Sequence, residues 1–438
     1  MSSSEPISSE AHSAAQSLLD YIDVSPSPWH VVATTAAMLK ANGFKCLREN
    51  EPWQFRKNGR YFAIRDGASL IAFILGNQAI PDAGFRMVGA HTDSPGLRIK
   101  PKAAQSNHGI AQLGVEVYGG PILATFTDRD LSLAGRVTVK NGNGFDTHLI
   151  KFDQSVVRLP NLAIHMNREV NDKGLLLNKQ TGLPLIFGVA PNHETAYALF
   201  SAQIAQQLSI QVQDILTWDL NVYDIQKGNF WGVDQAFIAN SQLDNLASCH
   251  AAMTALLDTR EQDATAVCAL FDHEEIGSES ATGAGGSFMQ DMIQRICSVT
   301  DTNEEGRLRA MANSFFISAD MAHAFHPNHA TAYEPCHHVT VNQGPVIKTN
   351  ANQRYSTNAD TAARFIQLCE KANVPYQQYA HRTDLGCGST IGPIVASRLG
   401  VASVDVGNPM WAMHSVRESA GVEDHLSMIK VLKQHFQS

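Results

Sequence analysis

TAVCALFDHEEIGSE, residues 265–279, decides the fold. Its first part, TAVCALF, is an unbroken run dominated by apolar residues and no longer than one strand. A run of that kind, bounded by polar residues, reads as a strand buried on both faces, as in a parallel sheet covered by helices. It stops at Asp272, and Glu274 and Glu275 follow at once. Adjacent acids are ordinarily solvated surface. Here they stand at the end of an apolar strand, flanked by Asp272, His273 and Gly277. Two carboxylates so placed repel each other unless a cation neutralises them. One can bind a metal while its neighbour handles protons.

Working outward, the same arrangement recurs. The strand-like run Phe85–Ala90 leads straight into His91 and Asp93 in GAHTDSPG, and SFFISAD ends at Asp320. Open α/β sheets build their sites at these carboxyl ends of strands. Residues two apart in extended chain face one way, so Asp93 can take the second N–H of the His91 imidazole and fix its tautomer. A lone H-x-D pair is common. Asp244 in SQLDNLAS opens a helical stretch, where an aspartate is usually an N-cap. His414 in MHSVRE is unremarkable by itself. Taken together, the five clusters supply two imidazoles (His91, His414) and four carboxylates (Asp244, Glu274, Glu275, Asp320). That set holds two divalent metals and leaves one carboxylate as a proton carrier, which points to a co-catalytic zinc-type hydrolase. His323 and His326, behind Asp320, read as core or supporting residues.

The 438-residue chain is long enough for two domains. Hydrophobic residues make up 44% and charged residues 17%, as in a globular enzyme. The net charge of −9 argues against nucleic acid as a partner. No apolar run reaches membrane-spanning length. The polar start, MSSSEPISSE, lacks the basic and apolar regions of a secretory signal and reads as a short disordered tail. Seven cysteines (46, 249, 268, 297, 336, 369 and 387) show no C-x-x-C spacing. They fit free, mostly buried thiols in a reducing cytoplasm.

Helices are expected over 12–22 and 29–41, with strands at Tyr61–Arg65, Leu70–Leu75 and Phe85–Ala90. From about 100 to 230 the texture turns β-rich: GVEVYGG, ILATFTD, AGRVTVKNGNG and HLIKFD read as short strands, 192–208 as a helix, and DILTWDLNVYD as a strand pair. GLRIKPK, with Arg98, Lys100 and Lys102 on one face, reads as an exposed edge strand. Strand–helix alternation returns after about 235, with helices from Asp244 to about 259, over 358–372 and over 423–437, and VASVDVG as a strand. The expected architecture is α/β, with a mixed, largely parallel sheet covered by helices and a β-rich insertion. ATGAGGS near 281–287 does not form a nucleotide cradle. GCGSTIG at 386–392 precedes a helix, and its amides can face a substrate carbonyl or carboxylate, although a plain turn explains the spacing equally well.

In this order, GAHTDSPGLRIKP, EVYGG, DRDLSLAGRV, LPNLAIHMNR, LDNLASC, DHEEIGS, SADMAHAFHPN, GPVIKTNANQRY, GCGSTIGP and AMHSVRE resemble the M18 family of metallopeptidases, the aspartyl aminopeptidases. The resemblance spans nearly the whole chain. It implies a zinc-peptidase-like catalytic domain in two parts, 1–99 and 233–438, interrupted by a β-rich dimerisation domain at 100–232. It implies that His91 and Asp320 hold one metal, that Glu275 and His414 hold the other, and that Asp244 bridges them. Glu274 becomes the general base toward the bridging water, and Asp93 orients His91. It further implies a dodecamer built from dimers, in which His165 reaches a neighbouring subunit's site, and a pairing of Lys348 with the acidic side chain of a peptide's N-terminal Asp or Glu. A lone strand histidine is otherwise structural, and one lysine says nothing alone, yet a site rich in carboxylates needs a local cation to admit an acidic group. YGGPILATFTDRD lacks the tryptophan that many members carry before DRD, a difference that bears on packing of the insertion. Zinc suits the mixed N/O donors, as do Mn and Co. The alternatives are another di-metal amidohydrolase (a carboxypeptidase or deacylase) and a non-catalytic, metal-stabilised assembly protein.

Overall fold

A computed structural model describes residues 7–438. Residues 1–6 of the polar start lie outside that range. The rest of the start is not a tail, because Ser8 caps the helix Ser9–Asp23 by accepting from the Ala11 amide. Among the described residues the strands form three sheets.

The largest sheet runs Lys45–Leu47, Arg60–Arg65, Ser69–Ile74, Thr265–Phe271, Phe85–His91, Phe315–Ala319, Ala402–Gly407, Val346–Thr349, Gln377–Ala380. Its central strands, Thr265–Phe271, Phe85–His91, Phe315–Ala319 and Ala402–Gly407, are mutually parallel. All seven residues of Thr265–Phe271 are buried. Side chains alternate across a strand, and both faces here are covered. Ala266, Cys268 and Leu270 enter the core shared with the helices Ser9–Asp23, Pro28–Ala41, Leu243–Leu257 and Val422–Phe436. Val267, Ala269 and Phe271 enter a second core with the helices Phe288–Val299, Glu304–Ala312 and Ile391–Leu399. Burial on both faces is why this segment reads as a continuous apolar run. Gly89 is required by the same packing: a Cβ there would come within 2.5 Å of the Phe316 ring.

A six-stranded sheet is drawn from Gly96–Asn107, Ile110–Tyr118, Leu131–Asn141, Gly144–Lys151, Leu185–Val189 and Ile215–Asp224, and packs Leu133, Val137 and Leu220 with Phe200 and Ile204 of the helix His193–Leu208. Three expectations change here. ILATFTD is not a strand; it contains a 3-10 turn at Leu123–Phe126. DILTWDLNVYD is one strand, Ile215–Asp224, paired along its length with Leu131–Asn141. GLRIKPK is not an edge, since Gly96–Asn107 lies between Ile215–Asp224 and Ile110–Tyr118. Arg98 does not guard an edge; its guanidinium stacks 3.7 Å from the Tyr118 ring centroid. The third sheet, small and five-stranded, contains the hairpin Pro409–Trp411 and Glu418–Gly421. No helix among the described residues is long and apolar enough to cross a membrane.

The core also carries neutral histidines. Burial lowers His250 to about 4. Burial and the charge of Arg86 lower His435 to about 3. Burial, then the adjacent His250 ring, hold His425 well below its ordinary value. The unfolded chain protonates each near 6.5, so the unfolded state binds more protons than the native one below that pH. Stability is therefore unaffected by these groups above about 6.5 and falls as the pH drops toward 4, by roughly 2 kcal/mol each for His250 and His435 at about pH 5. His435→Gln retains a donor for the Met87 carbonyl, 3.2 Å from His435 Nε2. In urea unfolding the difference in stability between pH 7 and pH 5 should shrink by roughly 2 kcal/mol in that variant. An unchanged difference would remove His435 from the acid-sensitive set.

Candidate metal centre

Three of the four central strands, Thr265–Phe271, Phe85–His91 and Phe315–Ala319, deliver the residues at their carboxyl ends to one cleft of about 640 Å³. His91 is the last residue of Phe85–His91 and lies in register with Phe271. Glu274 and Glu275 sit on a short 3-10 turn just after Phe271, entered through His273 in the left-handed region at φ 64°. Asp320 follows Phe315–Ala319, and its amide donates to the Val406 carbonyl at 2.9 Å. The neighbouring Gly407 must lack a Cβ, which would fall 1.7 Å from the Asp320 carbonyl oxygen. Asp244 lies in the first turn of Leu243–Leu257 with non-helical dihedrals (φ −82°, ψ 106°). It is not an N-cap: its side chain faces the cleft. His414 occupies the turn of the small hairpin, in the left-handed region at φ 68°.

The side chains gather into two nests. His91 Nε2 lies 3.4 Å from Asp244 Oδ1 and 3.5 Å from Asp320 Oδ1. His414 Nε2 lies 3.5 Å from Asp244 Oδ2 and 3.5 Å from Glu275 Oε2. Asp244 gives one oxygen to each nest. Such separations are too long for good hydrogen bonds. They match the edge of a tetrahedron, about 3.3–3.5 Å, whose centre is a metal bonded at about 2.0–2.2 Å. Asp244 Oδ1 is buried without a hydrogen-bond partner, an orphan that a cation would satisfy. Ligand atoms from His91, Asp244 and Glu275 all lie within 4.8 Å of one another. The donor set and spacing therefore fit divalent metals. Glu274 belongs to neither nest; its Oε2 approaches His91 Nε2 to 4.0 Å from the cleft side.

The charges tell the same story. Five carboxylates (Asp93, Asp244, Glu274, Glu275, Asp320) face two imidazoles and Lys348. Burial pushes the Glu274 carboxyl up to about 8, and the charges of Asp320, Asp93 and Asp244 add to this against the pull of His91. Burial and Asp244 drive Glu275 well above the usual carboxylate range. Burial opposes charge on His91, but the carboxylates of Asp244, Asp320 and Asp93 around it outweigh burial and raise the imidazole well above its ordinary value. His414 is raised as Asp244 outweighs burial. Asp244 itself, although buried, is held far below the usual range by His414 and His91. Protons on the two imidazoles stand where metal ions would compete for the same lone pairs.

Asp93 is fully buried and serves several groups. His91 Nδ1 lies 3.0 Å from the Asp93 backbone carbonyl and 3.4 Å from its carboxylate. The ring is thus met by the main chain of Asp93 first. The carboxylate accepts the amides of Glu274 and Glu275, both at 3.1 Å, and the Tyr118 hydroxyl at 2.7 Å. Lys348 is 2% exposed; its Nζ donates to the carbonyls of Asp320 and Met321, both at 3.1 Å, and stands 3.6 Å from Asp320 Oδ2. His323 lines the cleft and His326 does not. Neither does His165, which is exposed on the segment after Leu159.

Sequence reasoning left Tyr118, Glu418 and Arg354 without roles, although each stands in a motif already quoted. Tyr118 comes from the six-stranded sheet. Glu418 accepts the backbone amides of Asp244 at 3.0 Å and His414 at 2.7 Å. Arg354 lines the cleft, and so does the loop from Gly386 to Thr390, whose amides the sequence offers to a substrate carbonyl or carboxylate. Nothing in the local sequence singles out Tyr118, Glu418 or Arg354, because their surroundings are set by segments distant in the chain.

The model of the Aminopeptidase I zinc metalloprotease family (M18) matches residues 21–436. A probable M18 family aminopeptidase 2 from Ectopseudomonas mendocina is 45% identical over 425 residues, covering 97% of this chain and 98% of the relative. Among solved structures, mApe1 of Chaetomium thermophilum superposes with a TM-score of 0.88 at 30% identity, covering 98% of each chain. The S. cerevisiae mApe1 dodecamer gives 0.85 at 27% identity, covering 96% of each chain. With its parallel-stranded sheet, its converging histidines and carboxylates and these relatives, the chain belongs to the M18 family of zinc metallo-aminopeptidases.

Proposed function

We propose that this aminopeptidase removes N-terminal Asp or Glu from peptides, using two divalent metals, zinc in the first place with Mn and Co suited to the same donors. The observation that carries the reading is the pair of nests sharing Asp244, with Glu274 beside them and outside both. His91, Asp244 and Asp320 would hold one metal, and His414, Asp244 and Glu275 the other. When bound, the metals supply Lewis acidity to the scissile carbonyl and to the attacking water.

The rest falls to the chain's own side chains. Glu274 takes the proton from the attacking water and delivers it to the leaving amine. Burial and then the negative charge beside it lift Glu274 to about 8, and neutralising that charge shifts it toward the ionised form that a base needs. Asp93 keeps the His91 ring turned toward the nest and holds the Glu274–Glu275 turn by its amides. Lys348 braces Asp320 through two hydrogen bonds to main-chain carbonyls, and the third N–H of its ammonium is the donor offered to a substrate carboxylate. His165, exposed on its own subunit, serves the cleft of a neighbouring copy. The S. cerevisiae relative solved as a dodecamer supports such an assembly here. The unpaired cysteines, four of them buried (Cys249, Cys268, Cys297, Cys369), support a cytoplasmic location.

Glu274→Gln should lower kcat by roughly 10²–10⁴-fold with bound zinc unchanged by elemental analysis. Normal turnover would reject Glu274 as the base. Chelation should abolish cleavage of an Asp-peptide, and added zinc should restore it; full activity in the stripped enzyme would end the metal reading. Lys348→Met should slow all substrates, because Asp320 loses its brace, and should in addition lower the Asp-to-Leu ratio of kcat/KM by an amount equivalent to about 1–3 kcal/mol. An unaltered ratio would take Lys348 out of the specificity pocket. A free α-amine should be required; equal cleavage of N-acetylated peptides would favour a deacylase or carboxypeptidase instead.

A further inference from the structure

Glu418 is 2% exposed and opens the strand Glu418–Gly421. Its two carboxylate oxygens are divided between two loops: Oε2 accepts the Asp244 amide at 3.0 Å and Oε1 accepts the His414 amide at 2.7 Å. We propose that Glu418 is a positioning residue for the metal centre, fixing by their backbones the two ligand-bearing loops that form the His414 nest.

Each loop needs an outside acceptor. Asp244 and Asn245 depart from helical dihedrals at the start of Leu243–Leu257, and Gln242 makes no side-chain capping bond. The Asp244 amide therefore has to find its acceptor outside the helix, and it finds Glu418. His414 holds a left-handed backbone, uncommon for a residue with a Cβ, and its amide points into the protein toward Glu418. Other tethers act on one loop at a time: Ser94 Oγ donates to the Asp244 carbonyl at 2.7 Å, and the Gly120 carbonyl lies 3.1 Å from His414 Nδ1. Glu418 joins the two. It thereby sets the distance between Asp244 Oδ2 and His414 Nε2, 3.5 Å apart, which are two of the three donors in that nest. Partners that orient ligands in this way are commonly worth 10–100-fold in metal affinity.

The inference rests on the two-metal reading above, and the tests separate them. Glu418→Gln keeps the shape of the side chain but turns an amide NH2 toward one of the two backbone N–H groups. Zinc-loaded wild type and variant are titrated with a chelator of known affinity. The wild type should release two zincs, and the variant should hold one of them about 10–100-fold more weakly and the other within about threefold. A wild type that holds a single zinc ends the two-metal reading, and Glu418 is then judged by the affinity for that one ion. Unchanged zinc affinity in the variant, with only a lower Tm, reduces Glu418 to a helix cap and overturns the proposal. Hydrogen exchange on the wild type decides the matter should the variant not fold. The amides of Asp244 and His414 should be protected in metal-free protein and remain so on loading. Fast exchange that slows only when zinc is added would mean that the metal, and not Glu418, orders the loops.

Discussion

Mutual repulsion among buried carboxylates is the constraint around which this molecule is organised. Asp93, Asp244, Glu274, Glu275 and Asp320 converge on one cleft, and burying an uncompensated charge costs several kcal/mol even after relaxation. Such a cluster persists only where rigid elements hold it and where positive charge is at hand. The sheet provides the rigidity, since its four central strands are parallel and packed on both faces, and their ends cannot retreat from one another. His91, His414 and Lys348 provide part of the compensation, and the spacing of the donors leaves room for metal ions to provide the rest.

The supporting contacts show how little of the centre depends on neighbours in sequence. Asp93 receives the amides of Glu274 and Glu275, so the turn that carries the candidate base is anchored to the strand end that carries His91. Tyr118, from the six-stranded sheet, donates to the same carboxylate. The β-rich segment thus reaches into the centre through a buried hydroxyl. Lys348 holds Asp320 through the carbonyls of Asp320 and Met321. Glu418 links Asp244 to His414. Those made by Asp93 and Lys348 involve charged groups, of the kind worth more than a neutral hydrogen bond in a buried setting.

Some expectations failed for identifiable reasons. Strand propensity suggested a strand in ILATFTD, but Pro121 precedes it and the chain turns through Leu123–Phe126. DILTWDLNVYD runs through Asp219 and Asn221 with no Gly or Pro to break it, so one strand forms where a pair is expected. The charges of GLRIKPK resembled an edge because long cationic side chains can lie along a sheet face while strands pair on both sides. Asp244 looked like a helix cap because caps are what isolated aspartates at helix starts usually are. Its actual orientation is set by Glu418 and Ser94, 174 and 150 positions away.

The primary structure by itself determined the buried strands, since continuous apolar runs have no other stable home. It also determined the position of an acid or histidine at the end of three of them, Phe85–His91, Thr265–Phe271 and Phe315–Ala319, and the family to which the motifs belong. Which donors face one another was settled by tertiary structure alone. Convergence of residues from 91 to 414 depends on strand order, on register and on glycines that admit close backbone contact. None of these is encoded within the few residues around any one ligand. The division of Asp244 between two nests, the exclusion of Glu274 from both and the bracing by Tyr118, Lys348 and Glu418 arise from long-range packing, because a side chain's direction is fixed by what surrounds it in space.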